Sequence, residues 1–338
     1  MAKRSERIRD ALLEWVNQHP RDLVTQVAQR FGVSRAAVAK HARTLIAQGW
    51  LAAEGTTRKV YRPGPRRVLG HRFAITADLD ESMLWSKHYA TSVADLPANV
   101  QNILHYGFSE IVNNARDHSG GKTLGVTLRR DPRRTHLAIE DDGEGIFRHI
   151  ARLCGLEDER LALLELAKGK LTTAPQHHTG EGIFFTSKVF DAFCIVSGGL
   201  RHVVAARHWE WMEPEAAPEH GTIVAMGLRH GSKRELKEVF DEFAAPEEYS
   251  FNRTVVPLRL ARLQGENLLS RSQARRVVAR FEQFREVALD FTGVDEIGQA
   301  FADEIFRVFA GEHPQVKLVP VHYNRYVAGM LRHVGVKL

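Results

Sequence analysis

The sequence predicts a multidomain α+β chain, with a small basic helical unit first, a sheet-and-helix sandwich in the middle and a smaller α/β unit last. Three observations predict it. The chain has 338 residues, enough for two or three domains. Its first part carries apolar residues at helical spacing and ends in a hairpin-like pattern. Beyond about residue 97 a long amphipathic helix gives way to strands and glycine-rich turns, and beyond about residue 250 strand and helix patterns alternate.

Composition narrows the class. Hydrophobic residues make up 43%, ordinary for a globular protein with real cores. No apolar run is long enough to span a bilayer. The N-terminal "MAKRSERIRD" is charged and lacks the apolar stretch of a secretory signal. The two cysteines, Cys154 and Cys194, make neither a disulfide framework nor a metal-site spacing. These features set the expectation of a cytoplasmic protein with no membrane contact. The formal net charge of +6 permits nucleic-acid binding.

In the first unit, "RIRDALLEWVNQ" carries Ile8, Leu12, Leu13 and Val16 on one helical face. "DLVTQVAQRFGVSRAAVAKHARTLIAQGWL" reads as helix, turn, helix. Gly32 suits the left-handed exit of the first helix and Ser34 the N-cap of the second. The second helix exposes Arg35, Lys40, His41 and Arg43, while Val38, Ala42, Leu45 and Ile46 pack. "GWLAAEGTTRKVYRPG" then reads as strand, turn, strand. Three helices and a hairpin make a winged helix-turn-helix over residues 1–68, and the stretch resembles the winged-helix DNA-binding domains of bacterial regulators. That resemblance implies double-stranded DNA as partner. Arg35, Lys40 and Arg43 would sit on the groove-entering helix, and Arg58, Lys59 and Arg62 would meet backbone phosphates from the wing. The competing reading is a winged helix used only for protein contacts. "RPGPRRVLG" reads as a linker.

In the middle, "PANVQNILHYGFSEIVNNARDHSGG" is a long amphipathic helix with Glu110 and Asn114 four residues apart on one face. Two strands follow. The second runs into Asp141, Asp142, Gly143, Glu144 and Gly145, a turn where backbone approaches something closely. Further on, "HTGEGIFFTSK" sets Gly180 and Gly182 in front of an apolar helix-compatible run, after the polar segment "AKGKLTTAPQH". Phosphate binding and a plain loop-to-helix turn both explain such a glycine pair. "EHGTIVAMGL" puts Gly221 and Thr222 at the start of an apolar strand. His118 fits a helix C-terminus, where a cation complements the dipole. The adjacent His177 and His178 lack a third ligand at useful spacing for a metal.

Each piece alone reads as structural. In order, they resemble the GHKL ATP-binding fold, named for gyrase, heat-shock chaperones, histidine kinases and MutL, over residues 75–245. "EIVNNARDHSGG" looks like its asparagine box, "DDGEGI" like its Asp-x-Gly-x-Gly box with Asp141 first, "TGEGIFF" like its second glycine box, and Gly221-Thr222 like its late Gly-Thr element. The resemblance implies ATP and Mg²⁺. Asn114 would ligate the metal and Glu110 would orient or deprotonate the attacking water. Asp141 would accept from the adenine amino group, with Thr222 beside it. Gly143 and Gly145 would let backbone approach the nucleotide. Gly180 and Gly182 would offer N–H groups at a helix start, and Lys168 or Lys170 would reach the γ-phosphate from a lid spanning about residues 168–178.

The last part, residues 250–338, resembles a STAS-like domain, the anti-sigma-factor-antagonist fold. "REVALDFTGV" reads as a buried strand and turn, "QAFADEIFRVFAGEHP" as a helix, "QVKLVPVHYN" as a strand, and the end as helical. In that family the loop after the first of these strands carries a phosphorylated serine. Here Gln299 and Ala300 stand there, which counts against the phosphoswitch and leaves a role in binding the ATPase region or a protein partner.

The expected function is an ATP-responsive DNA-binding regulator of transcription, a homodimer that binds and slowly hydrolyses Mg-ATP. The alternative is a serine/threonine protein kinase of the anti-sigma-factor type. No histidine-kinase dimerisation pattern precedes the site, which disfavours autokinase activity.

Overall fold

The structure, a computed structural model, describes residues 2–55, 58–64, 67–171, 180–204, 219–244, 251–263 and 266–338. It is multidomain α+β, as the sequence predicts. The first unit holds α1 (Ala2–Trp15), α2 (Leu23–Phe31), α3 (Arg35–Ala47), β1 (Leu51–Glu54) and β2 (Val60–Pro63). Gly32 takes the left-handed conformation at φ 59° and accommodates the exit from α2. Ser34 Oγ accepts from the Ala37 N–H at 3.2 Å and caps α3. β1 and β2 pair antiparallel, Leu51 opposite Pro63 and Glu54 opposite Val60. Leu12, Leu23, Val27, Val38 and Leu51 close the core of this unit.

The chain then enters β3 (Arg67–Ala74). Here the structure differs from the linker reading of "RPGPRRVLG". β3 pairs along its length with β4, Arg67 opposite Arg130 and Ala74 opposite Thr123. As the outer strand of its sheet it tolerates arginines and a glycine that disguised it as a linker.

After β3 come α4 (Glu81–His88), α5 (Ala90–Val93), α6 (Ala98–His118), β4 (Thr123–Arg130), β5 (Arg134–Asp141), α7 (Ile146–Cys154), α8 (Ala162–Lys168), α9 (Gly182–Val189), β6 (Ala192–Ser197), β7 (Leu200–Val204), β8 (Thr222–Arg229) and α10 (Leu236–Phe243). The six strands form one sheet in the order β3-β4-β5-β8-β6-β7, with every neighbouring pair antiparallel. β6 is buried along its whole length. α6 buries Val100, Ile103, Leu104, Phe108, Ile111 and Val112 in one core with Leu137, Ile139 and Met226 of the sheet. Gly107 is a necessity of that packing. A Cβ there would lie 2.3 Å from the Phe190 ring.

The last unit contains β9 (Arg253–Pro257), α11 (Arg271–Val278), β10 (Glu286–Asp290), α12 (Gln299–Asp303), a π-helix (Glu304–Phe309), α13 (Ala310–Glu312), β11 (Lys317–Val321) and α14 (Arg325–His333). Its three strands are parallel, with β10 in the middle. The core of this unit also takes in Leu164 of α8 and Phe184 and Phe185 of α9. The Phe184 ring lies 4.6 Å from that of Phe251. The apolar residues after the second glycine pair thus tie the middle unit to the last one.

The first unit meets the edge of the central sheet through Arg130. Its guanidinium is 3% exposed, binds both oxygens of Asp95 at 2.6 and 2.7 Å, and lies 5.6 Å from the Trp50 ring centroid. Arg133 reaches Glu14 at 3.7 Å. Among the described residues no helix is long and apolar enough to cross a membrane.

Candidate functional site

A cavity of about 290 Å³ opens between α6, α7 and the N-terminus of α9, above the ends of β5 and β8. α6 contributes Glu110 and Asn114, because a four-residue step brings both to one side of a helix whose other side is core. The strand ends contribute Asp141 and Thr222, which face each other in register. The glycine turn contributes Gly145, and the approach to α9 contributes Gly180 and Gly182. Seven candidate residues from four separated segments line this one cavity.

The two neighbouring aspartates divide by environment. Asp142 is exposed, and its Oδ1 accepts from the N–H groups of Lys122 and Thr123 at 2.6 and 2.8 Å. Asp141 lines the cavity and accepts from the Gly143 N–H at 2.9 Å. Burial pushes its carboxyl up to about 6, against the lowering effect of that bond and of the Thr222 backbone. Thr222 Oγ1 accepts from the Ile146 N–H at 3.0 Å and so fixes the start of α7.

The glycines are required by close approach. Gly182 lies against Glu110, where a Cβ would fall 1.9 Å from Oε2. Gly180 has φ 69°, and its Cβ would meet the Leu171 backbone at 2.5 Å. Leu171 and Gly180 therefore stand side by side at the cavity. Residues 172–179 between them, most of the expected lid and the His177–His178 pair, lie outside the described residues.

Three of the expected residues stand away from the cavity lining. Gly143 does not line the cavity. It packs under it, 2.1 Å from Ser119 O at the position of a would-be Cβ, and lets the turn close on the end of α6. Lys170 is turned to the last unit, where its Nζ donates to Gln283 O at 2.7 Å and lies 4.9 Å from the Phe284 ring centroid. Lys168 is fully buried, bound to Glu165 Oε1 at 2.7 Å and to the carbonyls of Arg276 and Ala279 at 2.9 and 3.0 Å. A carboxylate and two carbonyls replace the water shell of that ammonium, so neither lysine is a loop charge.

The sequence reading missed α7. Ile146, His149, Ile150 and Leu153 line the cavity from this helix, and their i, i+3, i+4, i+7 spacing was legible. His149 Nδ1 bonds to Glu144 Oε1, which Arg152 also holds at 2.7 Å. His149 Nε2 and Asn114 Nδ2 are buried polar atoms with no partner among the described residues, both on side chains that line the cavity. Orphaned groups of this kind call for a partner such as a water, an ion or a ligand in the cavity. His118 also lines the cavity, its ring 6.3 Å from that of His149.

A second surface belongs to the first unit. Arg35, Lys40 and Arg43 of α3 and Arg58 and Lys59 beside β2 are all exposed. None of the five has a carboxylate within ion-pair reach among the described residues.

Two families match parts of the chain. Residues 11–55 match the IclR helix-turn-helix domain, and residues 273–328 match a STAS-like domain of unknown function (DUF4325). Among curated proteins none matches. The matched ranges flank the central sheet and its cavity, with a segment similar to IclR-type helix-turn-helix domains on one side and a STAS-like segment on the other.

Proposed function

We propose that the chain is a DNA-binding transcription regulator whose central cavity holds Mg-ATP in the manner of the GHKL fold. One observation carries the reading. Glu110 and Asn114 of the asparagine box, Asp141 and Gly145 of the aspartate box, the glycine pair Gly180 and Gly182, and Thr222 of the late Gly-Thr element, scattered over residues 110–222, line one cavity. The donor set fits the group. Asn114 brings to one wall an Nδ2 donor with no partner among the described residues, which suits a phosphate oxygen while its Oδ1 would take the metal, Asp141 an acceptor to the floor, and Gly180 and Gly182 the N-terminus of α9 to the rim. Mg²⁺, when bound, neutralises phosphate charge. Asn114 would hold it, and Asp141 and Thr222 would hold the base. Glu110 stands against the α9 N-terminus at Gly182, beside the place that suits the terminal phosphate. From there its carboxylate would take the proton of an attacking water, with ADP and inorganic phosphate as the products.

The test is binding and turnover together. Asn114→Ala is expected to weaken Mg-ATP binding by about tenfold to a hundredfold, measured by calorimetry. Glu110→Ala is expected to keep binding and lose phosphate release. Equal affinity in the Asn114 variant would remove the reading. With γ-labelled ATP, label on protein would turn the assignment to a protein kinase.

DNA binding rests on the exposed Arg35, Lys40 and Arg43 of α3 and Arg58 and Lys59 of the wing, which have no ion-pair partner among the described residues, whereas Arg62 pairs with Glu54 at 3.3 Å. Arg35→Ala combined with Lys40→Ala is expected to cut DNA affinity by at least about tenfold and to lower the salt dependence by about one per lost phosphate contact. Anisotropy titrations at several salt concentrations read both quantities. A homodimer would present two such faces to paired half-sites, and light scattering with and without Mg-ATP tests that part.

A further inference from the structure

A second, smaller cavity of about 110 Å³ lies where α9 and β7 meet the end of β9. Its lining brings together three basic side chains from three elements: Lys188 at the end of α9, His202 on β7 and Arg259 just past β9. Among the described residues no carboxylate lies within 4 Å of any of the three, and none donates a side-chain hydrogen bond to a protein acceptor. Lys188 is half-buried, with its ammonium against aromatic faces, 5.1 Å from the Phe184 centroid and 5.9 Å from that of Phe243. The carboxylates that act on it at longer range are Glu242 and Asp290. Glu242 is exposed, and Asp290 is already taken by Thr292 at 2.7 Å and His322 at 3.1 Å.

Two permanent cations beside an imidazole in a partly buried space raise the cost of charging that imidazole. His202 registers it. Burial first, then Arg259 and Lys188, push its imidazole down to about 4. Lys168, a more deeply buried ammonium, is by contrast compensated by Glu165. Pro257 and Arg259 stand at the carboxyl end of β9, at the rim of the parallel sheet.

We propose that this cavity is an anion site for a phosphoryl group, bound by Lys188, His202 and Arg259 and separate from the nucleotide cavity. An arginine fork, an ammonium and an imidazole drawn from three elements around one small cavity supply donors suited to a tetrahedral oxyanion with acceptors in several directions. The small volume selects free phosphate or a small phosphate ester over a nucleotide. Leu166, Ile183 and Phe184 line both cavities, so one apolar wall separates them.

The experiment uses the full chain carrying Asn114→Ala, so that phosphate at the nucleotide cavity does not enter the signal. The His202 ring resonance, assigned by its loss in His202→Gln, is titrated against pH in chloride and in inorganic phosphate at equal ionic strength. Phosphate is expected to raise its midpoint by at least about one pH unit and to saturate. Lys188→Met and Arg259→Gln are each expected to weaken phosphate binding by roughly tenfold. Arg259 is exposed, so its variant keeps the test valid should the Lys188 variant fail to fold. Glycerol phosphate binding tighter than inorganic phosphate identifies an ester as ligand, and the reverse order identifies free phosphate. An unchanged midpoint, the same rise in chloride, or full phosphate affinity in Arg259→Gln would overturn the proposal.

Discussion

Replacing Glu165 with alanine is expected to cost about 3–5 kcal/mol of stability, the largest loss among single changes near the unit boundary. Glu165 is 4% exposed and Lys168 not at all. Glu165 Oε1 accepts from Lys168 at 2.7 Å, and Oε2 accepts from Arg280 Nε and Nη2 at 2.9 and 2.7 Å. Removing the carboxylate leaves two cations facing each other without a counter-charge. Burial already holds the Lys168 ammonium below its usual range, with Glu165 opposing that effect. Lys168→Met is expected to cost less, because the Glu165–Arg280 pair survives it and the methionine stem fills the space. The loss should appear in the joint melting of the middle and last units, since Arg280 of the last unit also donates to the Gly169 and Lys170 carbonyls at 3.3 and 3.1 Å. Thermal unfolding at pH 7 reads both variants. A Glu165 variant melting with the parent would mean that the boundary is not held by this cluster.

That cluster marks the limit of what the sequence could reveal. α6 was legible because its apolar face repeats locally, and the strand-acid-glycine turn because close backbone approach leaves a glycine signature. Lys168 and Lys170 were misread as lid charges for the opposite reason. Apart from Glu165, three residues before Lys168, their partners Arg276, Ala279 and Gln283 lie more than a hundred residues further on, and no local pattern announces those. β3 was hidden by edge-strand composition, where arginines and a glycine serve solubility rather than packing. His149 belonged to a legible helix, but its role as a cavity wall depends on the sheet beneath α7. The first unit came through nearly whole, since cap residues, turn glycine and apolar spacing all act within a few positions of one another.

Asp141→Asn is expected to stabilise the protein at neutral pH while weakening nucleotide binding, so that one substitution separates fold from function. The Asp141 carboxyl stands at about 6 in the folded chain against 3.8 unfolded. A carboxyl raised in this way holds its proton longer in the folded state, so its contribution is fully present below about pH 4 and is lost as pH rises through 6. Above pH 6 the folded chain carries a largely buried carboxylate, at a cost of about 3 kcal/mol for the distance between those two values. An amide of the same shape keeps an oxygen for the Gly143 N–H, which Asp141 now receives at 2.9 Å, without the charge. The gain is therefore expected to be near zero at about pH 4, to grow between about pH 4 and 6, and to level off at up to about 3 kcal/mol. Adenine binding moves the other way. A carboxylate accepts from an amino group more strongly than an amide oxygen does, so the variant should bind Mg-ATP at least about tenfold more weakly at about pH 7.5. In the parent the same affinity should decline as pH falls below about 6 and Asp141 takes up its proton, a dependence absent from the variant. Stabilisation without loss of nucleotide affinity would leave Asp141 a buried acid of the fold and remove it from the floor of the binding site.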